Sequence, residues 1–230
     1  MRYYVYVSEA KVEQLYSQVP AKLRSKIAAK FTIDLKLLKG EFAGRQSQES
    51  LFSKLQIVRD YLESTNVIGT VDDPRSFFAQ TMPLSWGIYG GRVHGWDDSI
   101  FVYFGARTEE TVLGMGGSLH HVIGEPGKAV AHSHSATPTL TNALSMAVPI
   151  DATEPEMDLE KHLIEAGNSA NQPHSRRHLG MEQVLHSVWL ASTQIEGPRE
   201  PMEFVAKRLV GGDFCGKKVL LGTPLYVALI

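Results

Sequence analysis

Residues 2–7, Arg-Tyr-Tyr-Val-Tyr-Val, set Tyr3, Val5 and Val7 against Tyr4 and Tyr6, so that both faces are apolar or aromatic. That is the pattern of a strand covered on both sides. Ser8 then stands as a helix cap before Val12, Leu15, Tyr16 and Val19, spaced 0, 3, 4, 7, which predicts an amphipathic helix. Pro20 can open a second short helix with Leu23 and Ile27 inward. Phe31, Ile33, Leu35 and Leu37 alternate with Thr32, Asp34 and Lys36, a half-buried strand. Residues 39–50 are polar and read as a loop. Leu51, Leu55, Val58 and Leu62 then give the clearest helical stripe in the chain.

From Asn66 to Asp73 the composition is that of a turn. Strand-like segments follow at about 76–92, 99–105, 110–117 and 119–124, with Ala106-Arg107-Thr108-Glu109 closing a hairpin. Beyond residue 135 the pattern turns helical: Leu159, Leu163 and Ile164 mark one helix, and Met181, Val184, Leu185, Val188 and Trp189 mark another. Met202, Val205 and Leu209 predict a third, ended by Gly211-Gly212. Residues 217–230 read as strand with a turn at Gly222-Thr223-Pro224. Strands clustered between helical regions predict an α+β fold, a mostly antiparallel sheet flanked by helices. With no repeat and no low-complexity linker, residues 1–230 read as a single domain; an N-terminal subdomain over 1–72 is the one alternative division.

Composition narrows the function classes. The chain has 230 residues, 43% hydrophobic and 21% charged, enough for an ordinary hydrophobic core. A formal charge of −2 and the lack of a basic stripe give no electrostatic reason to expect nucleic acid. No window approaches the ~20 apolar residues of a membrane span, and the N-terminus lacks an apolar leader region. The one cysteine, Cys215, excludes an internal disulfide framework and suits a cytoplasmic location. It reads as a packing or surface thiol, since nothing nearby supplies a base.

Special residues concentrate at 103–134. Gly114, Gly116, Gly117 and Gly124 interrupt what otherwise reads as strand, and four of the nine histidines lie here: His120, His121, His132 and His134. Gly-Met-Gly-Gly-Ser at 114–118 can turn backbone N–H groups and the Ser118 hydroxyl toward an anion. It is neither a Walker loop nor a Gly-x-Gly-x-x-Gly turn. The plain alternative is a bulged, strongly twisted strand. His132 and His134, two apart, would share a face of a strand; with His120, His121 and Glu125 they could supply ligands to a divalent metal. The His-x-His is part of a cupin-like pattern, but Pro138 and Thr139 stand where its glutamate belongs. In the polar stretch 167–180, Arg176 and Arg177, with His174 and His178, could fork onto a phosphate or carboxylate; a surface loop explains them equally. No Gly-x-Ser-x-Gly elbow is present.

Several segments together resemble a family of uncharacterised bacterial proteins, best represented in actinobacteria, carried as a domain of unknown function. They are Arg2-Tyr-Tyr-Val-Tyr-Val-Ser-Glu-Ala-Lys-Val, Ile33-Asp34-Leu-Lys-Leu and Leu113-Gly-Met-Gly-Gly-Ser-Leu-His-His-Val-Ile-Gly. Glu203-Phe-Val-Ala-Lys-Arg-Leu-Val and Val219-Leu-Leu-Gly-Thr-Pro-Leu-Tyr-Val-Ala-Leu complete the set. The resemblance covers nearly the whole chain and implies no activity. It directs attention to the glycine segment with His121, and to Asp34, Lys207 and Arg208. The His132/His134 pair lies outside it.

Three functional readings follow. In the first, the chain is a binding or sensor module for a small anionic or nucleotide-like ligand. Gly114, Gly116, Gly117, Ser118 and His121 would hold the ligand, Arg176, Arg177, Lys207 and Arg208 would neutralise it, and the module could be an accessory part of a larger system. The second is a metal-dependent hydrolase, with His120 or His121, His132 and His134 on the ion and Glu125 or Asp34 as base. The third is a structural subunit whose aromatic strand edges bind a protein partner or a second copy.

Overall fold

The computed structural model describes residues 2–25, 50–89, 101–123, 140, 180–195 and 198–230. In chain order the described elements are β1 (Tyr3–Val7), α1 (Glu9–Gln18), α2 (Leu51–Ser64), β2 (Ile68–Gly69), β3 (Phe77–Tyr89), β4 (Phe101–Arg107), β5 (Thr111–Ser118), a 3-10 turn (Leu119–His121), α3 (Met181–Gln194), β6 (Glu200–Phe214) and β7 (Lys217–Leu229). The strand predicted over 31–37 and the helix around 159–164 lie outside the described residues.

The helix and strand content is that of an α+β protein, but the sheet is a closed five-stranded barrel, not an open antiparallel sheet flanked by helices. β3 pairs with β6 through 77–84 and with β4 through 85–89, β4 with β5, β5 with β7, and β7 with β6, which closes the ring. Most pairs are antiparallel; β5–β7 and β2–β3 are parallel. β1 adds to β7 beyond the end of β5.

Closure explains why so many strands are apolar on both faces. One face lines the barrel, where Phe78, Leu84, Phe104, Met115, Phe204 and Val227 interlock. The other face is roofed by helices. α3 covers Tyr103, Val112, Val219 and Leu221, while α1 and α2 cover Val205, Leu225, Tyr226 and Ala228. Each large apolar side chain so buried stabilises the fold by roughly 1.5–3 kcal/mol.

Four sequence expectations change. Residues 200–214 form β6, not a helix: Met202 faces the barrel and Val205 the outer layer. Register shifts at Val205/Ala206 and Arg208/Val210 put the apolar positions at helix-like spacings. A shift in β1 between Tyr4 and Tyr6 likewise breaks strict alternation, so Val5 and Tyr6 both enter the barrel cluster. Residues 119–121 form a 3-10 turn, with only an isolated bridge from Val122 to Tyr6. Gly222-Thr223-Pro224 is no turn but the middle of β7. The β6–β7 reversal instead uses Cys215 and Gly216, both at positive φ (49° and 72°), as a two-residue type I′ hairpin requires. Cys215 is exposed there.

The glycines in the strands make room. A Cβ on Gly114 would lie 2.0 Å from the Tyr103 hydroxyl and 2.8 Å from its ring, one on Gly116 2.4 Å from Leu140, and one on Gly117 2.2 Å from the Tyr6 hydroxyl. At Gly105 the conflict is with Ser192 of α3, at 3.2 Å. The helix therefore sits close on the barrel, and Tyr103 and Ser192 share a hydrogen bond of 2.8 Å while Ser192 also donates to the Leu113 carbonyl at 2.9 Å.

Gly114→Ala should cost about 1–3 kcal/mol of stability, the usual range for overpacking. Gly87→Ala, where a Cβ meets nothing within 4 Å, should be close to neutral. Urea midpoints of the two variants check this; equal midpoints would contradict the packing role.

Candidate functional site

β7 hands over its neighbours in the middle. Its pairing with β5 ends at Met115–Gly222, and its pairing with β1 begins at Tyr226–Val7. Between them, Thr223, Pro224 and Leu225 face a fork where β5 and β1 diverge. The unpaired backbone groups here still need partners. The Ser8 N–H donates to the Leu225 carbonyl at 2.9 Å, the Lys11 ammonium donates to the Pro224 carbonyl at 3.1 Å, and Pro224 has no N–H to satisfy.

The sequence folds locally so that chemistry converges on this fork. β1 ends at Val7, Ser8 caps α1, and Lys11 lies on its first turn. Ser8 is the N-cap, as predicted, yet its side chain makes no capping hydrogen bond. Its hydroxyl is buried without a partner, and so is that of Thr223; each residue is 1% exposed. Thr223 stands opposite Lys207 in the β6–β7 register. From the other branch, the 3-10 turn after β5 brings His121, its ring edge-on to Tyr6 at 5.8 Å and 4.2 Å from the ring of His120.

The electrostatics are one-sided. Burial, and then the positive charge of Lys207, push the Lys11 amine down to about 7. Burial, His120 and Lys11 push His121 down to about 4. Among the described residues, no carboxylate forms an ion pair with Lys11 or Lys207. A partly buried amine, a second lysine, a neutral imidazole and two unpartnered hydroxyls thus gather at the N-terminus of a ten-residue helix, where the helix dipole is positive.

Of the residues singled out from sequence, the fork unites His121 and Lys207, with His120 at its exposed rim. Arg208 points elsewhere, its guanidinium donating to the Pro74 carbonyl at 3.3 Å. Gly114, Gly116 and Gly117 lie in a fully buried strand with ladders to β4 and, through 111–115, to β7, where they admit Tyr103, Leu140 and Tyr6. Ser118 is buried at the end of that strand. Asp34, Glu125, His132, His134, Arg176 and Arg177 lie outside the described residues. Among the described residues, no three potential ligands converge on a metal position, and no helix is long and apolar enough to cross a membrane. A depression of about 430 Å³ beside Met181, Leu185, Phe214 and Cys215 is open to solvent and lies on a different face.

Sequence reasoning missed Lys11 and the hydroxyls of Ser8 and Thr223. A signal existed for Lys11: extending the stripe Val12, Leu15, Tyr16 and Val19 back one turn lands on Ser8 and Lys11. A lysine on the inward stripe of a helix is out of place for packing. Nothing comparable marked Thr223, whose position at the fork depends on strands far apart in sequence.

Folding neutralises both groups, which sets the pH dependence. Between about 4 and 6.5 the unfolded chain holds a proton on His121 that the folded chain lacks. Between about 7 and 10.5 the same holds for Lys11. Stability should therefore rise with pH through each window. His121→Phe should flatten the lower rise and Lys11→Met the upper, as thermal midpoints across pH would show; unchanged profiles would contradict the burial of these groups.

No curated protein and no solved structure matches the chain. One family model does, over residues 2–230. In agreement with the resemblance read from the sequence, the chain belongs to a family of unknown function, DUF7019.

Proposed function

We propose that this chain is a binding module for a small anion, a carboxylate or phosphate, seated at the fork between β1 and β5. The observation that carries the reading is Lys11: its amine is held against the Pro224 carbonyl beside Lys207, with no carboxylate partner among the described residues. Burying a cation without a counter-charge costs stability, and a bound anion offsets that cost by returning the amine to its charged form. The unpartnered hydroxyls of Ser8 and Thr223 are donors that an oxyanion satisfies, and the N-terminus of α1 adds a favourable field. The ligand site thus moves from the glycine segment to its neighbour His121, with Lys207 kept and Lys11 added. The hydrolase reading gains no support from the described histidines.

Sulfate, whose charge is constant near neutrality, is the cleanest probe. It should raise the thermal midpoint. Its affinity should fall by up to about tenfold per pH unit above pH 7 as Lys11 loses its proton. Lys11→Met should abolish the sulfate effect, and Lys207→Ala should weaken it severalfold. A sulfate response that survives Lys11→Met, or none in the native chain with either sulfate or phosphate, would overturn the reading.

A further inference from the structure

We propose that Lys11 forms an imine with a small oxo acid, a compound whose carbonyl carbon adjoins a carboxylate. The inference rests on the anion site at the fork and asks what its amine does there. Three observations carry it.

The amine is positioned. Lys11 comes from the first turn of α1, and its Nζ donates to the Pro224 carbonyl at 3.1 Å, so one N–H direction is fixed and the nitrogen is not swinging in solvent. Burial and the charge of Lys207 from β6 oppose its protonation; His121, from the turn after β5, is itself held neutral, and Glu9 on the same helix turn is exposed. An amine so placed has its lone pair free at neutral pH, as a nucleophilic lysine requires.

The second observation is the pair of buried hydroxyls. Ser8 caps the helix that carries Lys11, Thr223 directly precedes the Pro224 whose carbonyl holds the amine, and neither hydroxyl has a partner. In a site for an oxo acid the hydroxyls, the helix N-terminus and Lys207 take the carboxylate, which leaves Lys11 for the carbonyl. The third observation is His121. Its imidazole is neutral at pH 7 because of burial, His120 and Lys11, and it can therefore accept a proton and return it.

The step balances without any external oxidant or reductant. The Nζ lone pair attacks the carbonyl carbon and the C=O π pair moves to oxygen. The proton lost from nitrogen passes through His121 to that oxygen, giving a neutral carbinolamine. Its hydroxyl then leaves as water as the nitrogen lone pair forms C=N, and the proton that the hydroxyl takes through His121 is supplied by the remaining N–H of the carbinolamine. One amine and one carbonyl yield one imine and one water.

The test is reductive trapping with glyoxylate at pH 7, with sodium cyanoborohydride as hydride donor and peptide mapping by mass spectrometry. At this pH roughly half of a Lys11 amine lowered to about 7 is neutral, against roughly one in a few thousand for an ordinary lysine. Labelling of Lys11 should therefore exceed that of the exposed Lys22 and Lys218 by at least about tenfold, and millimolar sulfate should suppress it. Lys11→Arg, which keeps the charge, should lose the preferred label and retain sulfate-dependent stabilisation. If sulfate stabilises the native chain but glyoxylate labels lysines only according to exposure, the imine is wrong and the anion site stands. If Lys11 is labelled preferentially but sulfate neither competes nor stabilises, the amine is reactive and both the anion site and the oxo-acid form of this proposal fail. If neither effect appears, both fail.

Discussion

A β-strand has two edges, and each backbone group on an edge can pair only once. β7 is where this limit shapes the molecule. One edge is taken along its whole length by β6. The other is shared between β5, which runs parallel to it, and β1, which runs antiparallel. Two strands approaching one edge from opposite ends cannot meet flush, because each must turn away before it collides with the other. The three residues between them, Thr223 to Leu225, are therefore left to find partners outside the sheet. Barrel closure through β3–β6 holds the arrangement shut, and α1 starts at the fork because β1 has to leave there.

The same closure accounts for the glycines. Strands of a small barrel lie under helices on one face and over a filled interior on the other, so large side chains need space on both. Tyr103 lies flat beneath α3 because residue 114 has no Cβ, and Tyr6 reaches the wall because residue 117 has none. Glycine weakens a strand; here that loss is offset by burying tyrosine rings. Backbone amides inside such a packed, paired strand are not offered to a ligand, whereas the fork beside it leaves side-chain donors unmatched.

That contrast bears on function. The hydroxyls of Tyr103 and Ser192 are buried too, yet they satisfy each other and the Leu113 carbonyl. The carboxylate of Glu203 is met by Arg2, Arg59 and Tyr226. The fold satisfies these polar groups, while at the fork two hydroxyls are buried without partners and an amine lies beside a second lysine with no carboxylate ion pair among the described residues. Groups that reduce stability and are nonetheless retained are the expected mark of a binding site.

Elements that depend on neighbours in the chain are legible from residue patterns. The stripe of Leu55, Val58 and Leu62 makes α2, the Val184, Leu185 and Val188 stripe makes α3, and Thr108 turns β4 into β5 because these are local periodicities and local hydrogen bonds. The sequence also raises His121 and Lys207 as candidates, though not their relation in space. The rest follows from long-range packing. β6 is a strand because β3 and β7 flank it, and its bulges hide the two-residue period that would have revealed it. Lys11 meets Pro224, Lys207 and His121 only because β7 joins the first strand of the chain to strands more than a hundred residues later. Pairing of distant strands is decided by which closure buries the most apolar surface while leaving the fewest backbone groups unpaired. That is a property of the whole chain and of no single stretch of it.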